Sequence, residues 1–325
     1  QYMFCDCSNV SVIDVSGFDT AKVTNMQALF NGCSKVKILD VAGFDTSKVT
    51  DMQYMFWGCD SITTLDVINF DTSNVTNMYD MFACAQLTAL DCSRFNTSKV
   101  TNMHAMFGNC HALKTIDVSN FDTSNVTNMQ DMFASCYKVT TLDCSSFDTS
   151  KVTNMRGVFW HCYELTTIYA SDLWVIANVA DETNYGAFMF SNDTKLKSGT
   201  SGKSYSASND TYHMANYQTG YLTNGSYTLL KGTEFRKTIP RSTENIVFTD
   251  EAAPSGVAIK DVSAAKNGRV VSWSEGTTYK VSTQKKGKKV IANEDSSFLF
   301  SAMDVDLDDG QTYEGSDIDG YRFLI

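Results

Sequence analysis

Carboxylates and thiols recur at fixed spacing in this sequence, and these groups could do chemistry. Asp14, Asp40, Asp66, Asp91, Asp117 and Asp143 occupy the fifth position of a repeated hexapeptide such as ITTLDV (62–67). A second set, Asp19, Asp45, Asp71, Asp122 and Asp148, follows a repeated phenylalanine. Such columns could hold a cation or a basic partner, and calcium would need several oxygens to converge. The chain also has 10 cysteines. Cys7, Cys33, Cys59, Cys84, Cys110, Cys136 and Cys162 share one position of the repeat, and Cys92 and Cys144 share another. Zinc would need clustered ligands, but no C-x-x-C pair is present and Cys5 and Cys7 have no partner cluster. Equivalent cysteines in successive repeats point in parallel, so they read as small buried hydrophobes in the reduced state. His104, His111, His161 and His213 stand at non-equivalent positions. No nucleophile with a base, metal motif or phosphate loop is legible, so the residues point away from an enzyme and imply no cofactor.

The elements that place these residues repeat. FDTSNVTNMYDMF (70–82) has close copies beginning at Phe18, Phe44, Phe95, Phe121 and Phe147. Phe4, Phe30, Phe56, Phe82, Phe107, Phe133 and Phe159 are spaced by 26, 26, 26, 25, 26 and 26 residues. A period of this size predicts a solenoid and is too short for a propeller blade. The expected fold class is a leucine-rich-repeat-like solenoid with a parallel β face and short helical turns, followed by a small all-β domain. The hexapeptide predicts a short strand, and Phe-Asp-Thr-Ser predicts a turn. VTNMxxMF predicts one or two helical turns with Thr or Asn as N-cap. The repeated Val and Met residues form core columns, which accounts for the methionines without a metal-binding role.

Strand alternation sends the column from Asp14 to Asp143 outward, with Tyr169 in its place in the last clear coil. Stacked carboxylates repel, so each either accepts hydrogen bonds from its own turn or serves a cation or basic partner. Trp57 and Trp160 stand where other coils have small residues, and they read either as contact points or as local packing. A net charge of −11 with no basic stripe argues against nucleic acid. The one dense basic run, KKGKK (285–289), reads as a hairpin turn. No window approaches the roughly 18 apolar residues of a membrane span. Gln1 leads straight into YMFCDC without a signal-peptide pattern, which leaves open whether the chain begins inside a longer polypeptide.

Three segments follow. Residues 1–190 form the solenoid of about seven coils, the last degenerate. Residues 191–225, rich in Ser, Thr, Asn and Gly, read as linker or loops. Residues 226–325 carry short β-rich runs and both prolines, with a hairpin around Ser274 to Gly276. The stretch MFWGCDSITTLDVINFDTSNVTNMYDMF (55–82) resembles the BspA-type leucine-rich-repeat surface proteins, in the subgroup labelled a domain of unknown function from mycoplasmas and Firmicutes. The resemblance covers residues 1 to about 170. It implies a secreted or surface-displayed binding protein, an adhesin in some members, and supplies no catalytic residues. EGTTYKVSTQKKGKKVIANEDSSFLF (275–300) resembles the β cap that precedes arrays in such proteins, and SSFLF (296–300) resembles the opening QYMF. The functional expectation is an extracellular, cell-surface or virion-surface protein that recognises a protein or glycan partner. The alternative is a structural component of a fibre, appendage or phage tail that associates with itself.

Overall fold

A computed structural model of the chain describes residues 1–84, 86–179, 184, 186–225, 230, 235, 237–240, 242–263, 269–285 and 290, and the backbone of 322–324. The basic run beyond Lys285, the SSFLF segment and the residues from there to 321 lie outside the described residues. The chain divides into two compact units, Gln1–Asn224 and Gly225–Ile325.

The first unit is a stack of the repeats. Asx turns bend the chain at three places in each coil. Asp66 Oδ1 accepts the Ile68 N–H (3.1 Å), Asp71 Oδ1 that of Ser73 (2.9 Å) and Asn77 Oδ1 that of Tyr79 (3.2 Å). The same three bonds recur in the next coil, from Asp91, Asn96 and Asn102. A short carboxylate or amide side chain can mimic a backbone turn by bonding two residues on, which is why Asp or Asn stands at each of these positions.

The VTNMxxMF segment contains no helix, contrary to expectation. Its first turn closes with an i to i−3 bond, from Met81 N–H to Met78 C=O (3.3 Å), and alternate amides leave the coil altogether. Met78, Asp80 and Phe82 donate to the carbonyls of Asn102, His104 and Met106 in the next coil, at 3.0, 2.9 and 3.0 Å. Positive φ at Ala28, Tyr54, Asp80, Ala105 and Asp131 turns these amides toward their neighbours and stops helix propagation. The repeated Asn is accordingly a turn residue bridging coils and not a helix N-cap; Asn77 pairs in parallel with Asp51 and Asn102. All these amides point toward the following coil, so the segment forms a ladder of one direction. The threonines that precede it bond the opposite way, as in Thr76 N–H to Thr50 C=O (2.9 Å).

Between the ladders lies a continuous core. Phe30, Phe56, Phe82, Phe107, Phe133 and Phe159 are fully buried and stack on one another at 5.7–5.9 Å with nearly parallel rings. Each such contact contributes about 0.5–1.5 kcal/mol beyond burial. The Val column is buried from Val49 to Val152 and half-buried at Val23, and the Met column is buried throughout. The buried cysteines donate as well as fill space: Cys110 Sγ lies 2.8 Å from the Phe82 carbonyl and Cys136 Sγ 3.2 Å from that of Phe107. All ten cysteines are free thiols. Burial pushes the Cys110 thiol up to about 12, which keeps it protonated and able to donate. Asp193 takes this position in the last coil, where its Oδ1 accepts the Cys162 N–H (2.8 Å).

The strand segments pair only in part. Parallel ladders join β1 (Ala89–Leu90) to β2 (Thr115–Ile116), and β3 (Thr141–Cys144) through β4 (Thr167–Ala170) to β5 (Thr223–Asn224). The equivalent segments of the earlier coils form no strand. Residues 191–225, read from composition as linker or loops, are mostly turns, with a 3-10 turn at Tyr212–Met214 and β5, and they are packed. Leu196, Ala215, Tyr221 and Leu222 join the core, and Phe190 N–H donates to the Asp210 carbonyl (3.1 Å). The segment therefore covers the donor edge that the last Met-Phe coil would leave open.

In the second unit β6 (Asn245–Thr249), β9 (Thr278–Ser282), β8 (Val271–Glu275) and β7 (Lys260–Asp261) form one sheet, with β10 (Arg322–Leu324) beside β6. The expected hairpin is β8–β9, turning at Gly276 with φ +59°. A small cluster including Phe235, Ile246, Val270, Tyr279 and Val281 forms its core.

Candidate ligand-binding face

Two surfaces of the stacked unit carry the residues that sequence reasoning singled out. On the strand side, Asp14, Asp40, Asp66, Asp91 and Asp117 are exposed and Asp143 is half-buried. Each has Oδ1 committed to the amide two residues on, at 2.9–3.2 Å. The Ser16 hydroxyl and then its amide hold the Asp14 carboxyl below its ordinary value, and Ser93 does the same for Asp91. The column is thus built first to turn the chain. Asp66, Asp91 and Asp117 line a shallow depression of about 730 Å³. Among the described residues no set of three His, Cys, Asp or Glu is placed to hold a metal ion. Tyr169 lies half-buried in β4, beside Asp143 of β3 and Thr223 of β5.

The turn side carries the positions at which coils differ most. Trp57 and Trp160 are 43% and 38% exposed. They stand at the same position four coils apart, so the structure does not bring them together. Each instead abuts its own group of aromatic rings. Trp57 meets Tyr54 edge-on at 6.5 Å, and Tyr54, Tyr79 and His104 follow at 4.7 and 4.5 Å. Trp160 packs on His161 (4.1 Å), and the series continues through Tyr163 (5.4 Å), Tyr137 (5.0 Å) and His111 (4.4 Å). The coil spacing suits ring stacking, so aromatic residues in adjacent coils form a ladder without further design. Sequence reasoning missed these ladders, although Tyr79 with His104, and His111 with Tyr137 and Tyr163, were legible as Tyr or His at one position of consecutive coils; Tyr54, one position farther along its coil, was not.

Charged groups lie between the ladders. Burial, and secondarily Asp131, pushes Asp80 up to about 7. Burial lowers His104 against an opposing pull from Asp131, whose Oδ2 is 3.9 Å from Nε2. Gln130 Nε2 donates to the same Oδ2 (3.0 Å). Arg156 sits 4.9 Å over the Phe188 ring and donates to the Asn184 carbonyl (3.4 Å). The face can therefore offer π surface, donors and acceptors together, which suits recognition. Among the described residues it shows no nucleophile held by a base.

The family described as "Mycoplasma protein of unknown function, DUF285" matches residues 1–115 and again residues 85–203. The chain belongs to this family. The second DUF285 match ends within the closing segment, so the family pattern accounts for the stacked repeats and not for the second unit. No curated protein and no solved structure matches the chain. In the chain, no helix among the described residues is long and apolar enough to cross a membrane.

Proposed function

We propose that this DUF285 protein is a non-catalytic recognition protein displayed outside the cell, on a cell or virion surface. Its stacked coils are read as a leucine-rich-repeat-like solenoid of the BspA type. The observation that carries the reading is the division of labour within the coil. Repeated positions fill the core and make the Asx turns, whereas exposed aromatic residues gather where coils differ, at Trp57, Trp160, Tyr163 and Phe188. Aromatic residues on a rigid scaffold are a common source of binding energy. The test is adhesion of protein-coated beads to host cells, with Trp57→Ala and Trp160→Ala compared to the unaltered chain. Retention is expected to fall in at least one variant, and equal retention of both would remove the turn side from the reading.

A fibre or tail role is favoured by a different observation. Val12 and Ile38, exposed at the same outward position of successive strand segments, give an apolar strip on the strand side suited to lateral self-association. Light scattering that shows concentration-dependent growth would support that role.

A further inference from the structure

A pocket of about 440 Å³ opens beside Trp160, lined among others by Asp131, Arg156, His161, Phe188 and Asn192. We infer that it binds a neutral sugar ring at the end of a glycan chain. The inference rests on the recognition reading above and names the ligand class and the site.

The first argument is the state of the indole. Tyr137 is sandwiched between His111 and Tyr163, at 4.4 and 5.0 Å, so its faces are used within the protein. Trp160 has Ala134 before it and Ser191 after it at the equivalent position, and Ser191 lines the pocket. The indole packs on the His161 ring at 4.1 Å but has no ring from a neighbouring coil on it, and its exposed part can offer π surface to the C–H-bearing face of a pyranose.

The second argument is the polar rim. Asp131 is held at Oδ2 by Gln130, while Oδ1 lies where a Cβ on residue 157 would be. Gly157 therefore makes room for the carboxylate along the pocket wall. Ring hydroxyls both donate and accept, and they require a carboxylate acceptor alongside donors such as the Arg156 guanidinium and the Asn192 amide. One positive and one negative side chain offset each other here, and the chain carries −11 overall, so a neutral ligand fits better than an acidic one. The volume lies within the roughly 300–1,000 Å³ usual for small-ligand sites. Arg156 and Gly157 are, in addition, departures from the residues that other coils place at their positions.

The experiment probes an array of neutral hexose- and N-acetylhexosamine-terminated glycans, with sialylated glycans alongside, and titrates each hit by tryptophan fluorescence. Trp160→Ala and Asp131→Asn should weaken binding to neutral glycans about tenfold or more, the scale of truncating a central contact. Lys22→Ala, at an exposed position of the first coil, should not, and thermal melting checks that each variant is folded. Binding to sialylated glycans alone, or binding indifferent to both pocket variants, overturns the inference. No array binding, together with adhesion that survives periodate treatment of host cells, also overturns it and leaves protein recognition standing. Loss of both array binding and adhesion overturns the two readings together.

Discussion

At the scale of single residues, the repeat spends its polar side chains on architecture. Asp66, Asp71 and Asn77 each close a turn, and buried Thr97 carries a hydroxyl bond to the Asp122 carbonyl of the next coil (2.8 Å). Asp80 is the exception, because burial rather than a turn determines its behaviour. Its carboxyl titrates near 7 in the folded chain against an ordinary 3.8. The folded state therefore holds the proton more tightly than the unfolded one. That contribution is fully present below 3.8 and is lost as pH rises through about 7. Melting temperature should fall more steeply from about pH 5 to about pH 8 in the unaltered chain than in Asp80→Asn. His104 is lowered and works in the opposite sense, losing stability as pH falls, so the comparison between the two proteins isolates Asp80. Parallel pH profiles would sink this account.

At the scale of the element, the ladder segment depends on left-handed residues that turn its amides outward. Gly157 has φ +59°, and an added Cβ would collide with Asp131 Oδ1. Gly157→Ala should cost about 1–2 kcal/mol, or a few degrees of melting temperature for a unit this size. Ala105→Gly, at φ +48°, should cost little or nothing because it relieves the same strain. A Gly157→Ala protein that melts with the unaltered chain would exclude the left-handed requirement. This segment also shows where sequence reading stopped. The period, the Phe, Val and Met columns and the outward aspartates were legible, because burial at a fixed period imposes apolar residues at a fixed period. The helical turn was not, since VTNMxxMF has helix-like apolar spacing in either conformation. What decides is the direction of alternate amides, supplied by a neighbouring coil that the local sequence does not display. The aromatic ladders were legible only across coils, by reading Tyr79 with His104 and Tyr137 with Tyr163.

At the scale of the whole molecule, the two units have cores of different extent. That of the first runs unbroken from Ile13 to Leu222, whereas the described core of the second is one small cluster. Calorimetry of the full chain should therefore resolve two unfolding transitions, and one transition coincident by every probe would contradict separate units. Within the first unit, each coil receives from the one before the same bonds that it gives to the one after. Nothing in such an interface fixes copy number. Duplication or deletion of one unit of 25 or 26 residues would leave both ends chemically unchanged and shift the Trp160 pocket by one strand spacing, about 4.8 Å. Reach is thus adjustable in whole increments, and a lineage could place its contact site nearer to or farther from its opening coil without redesigning either.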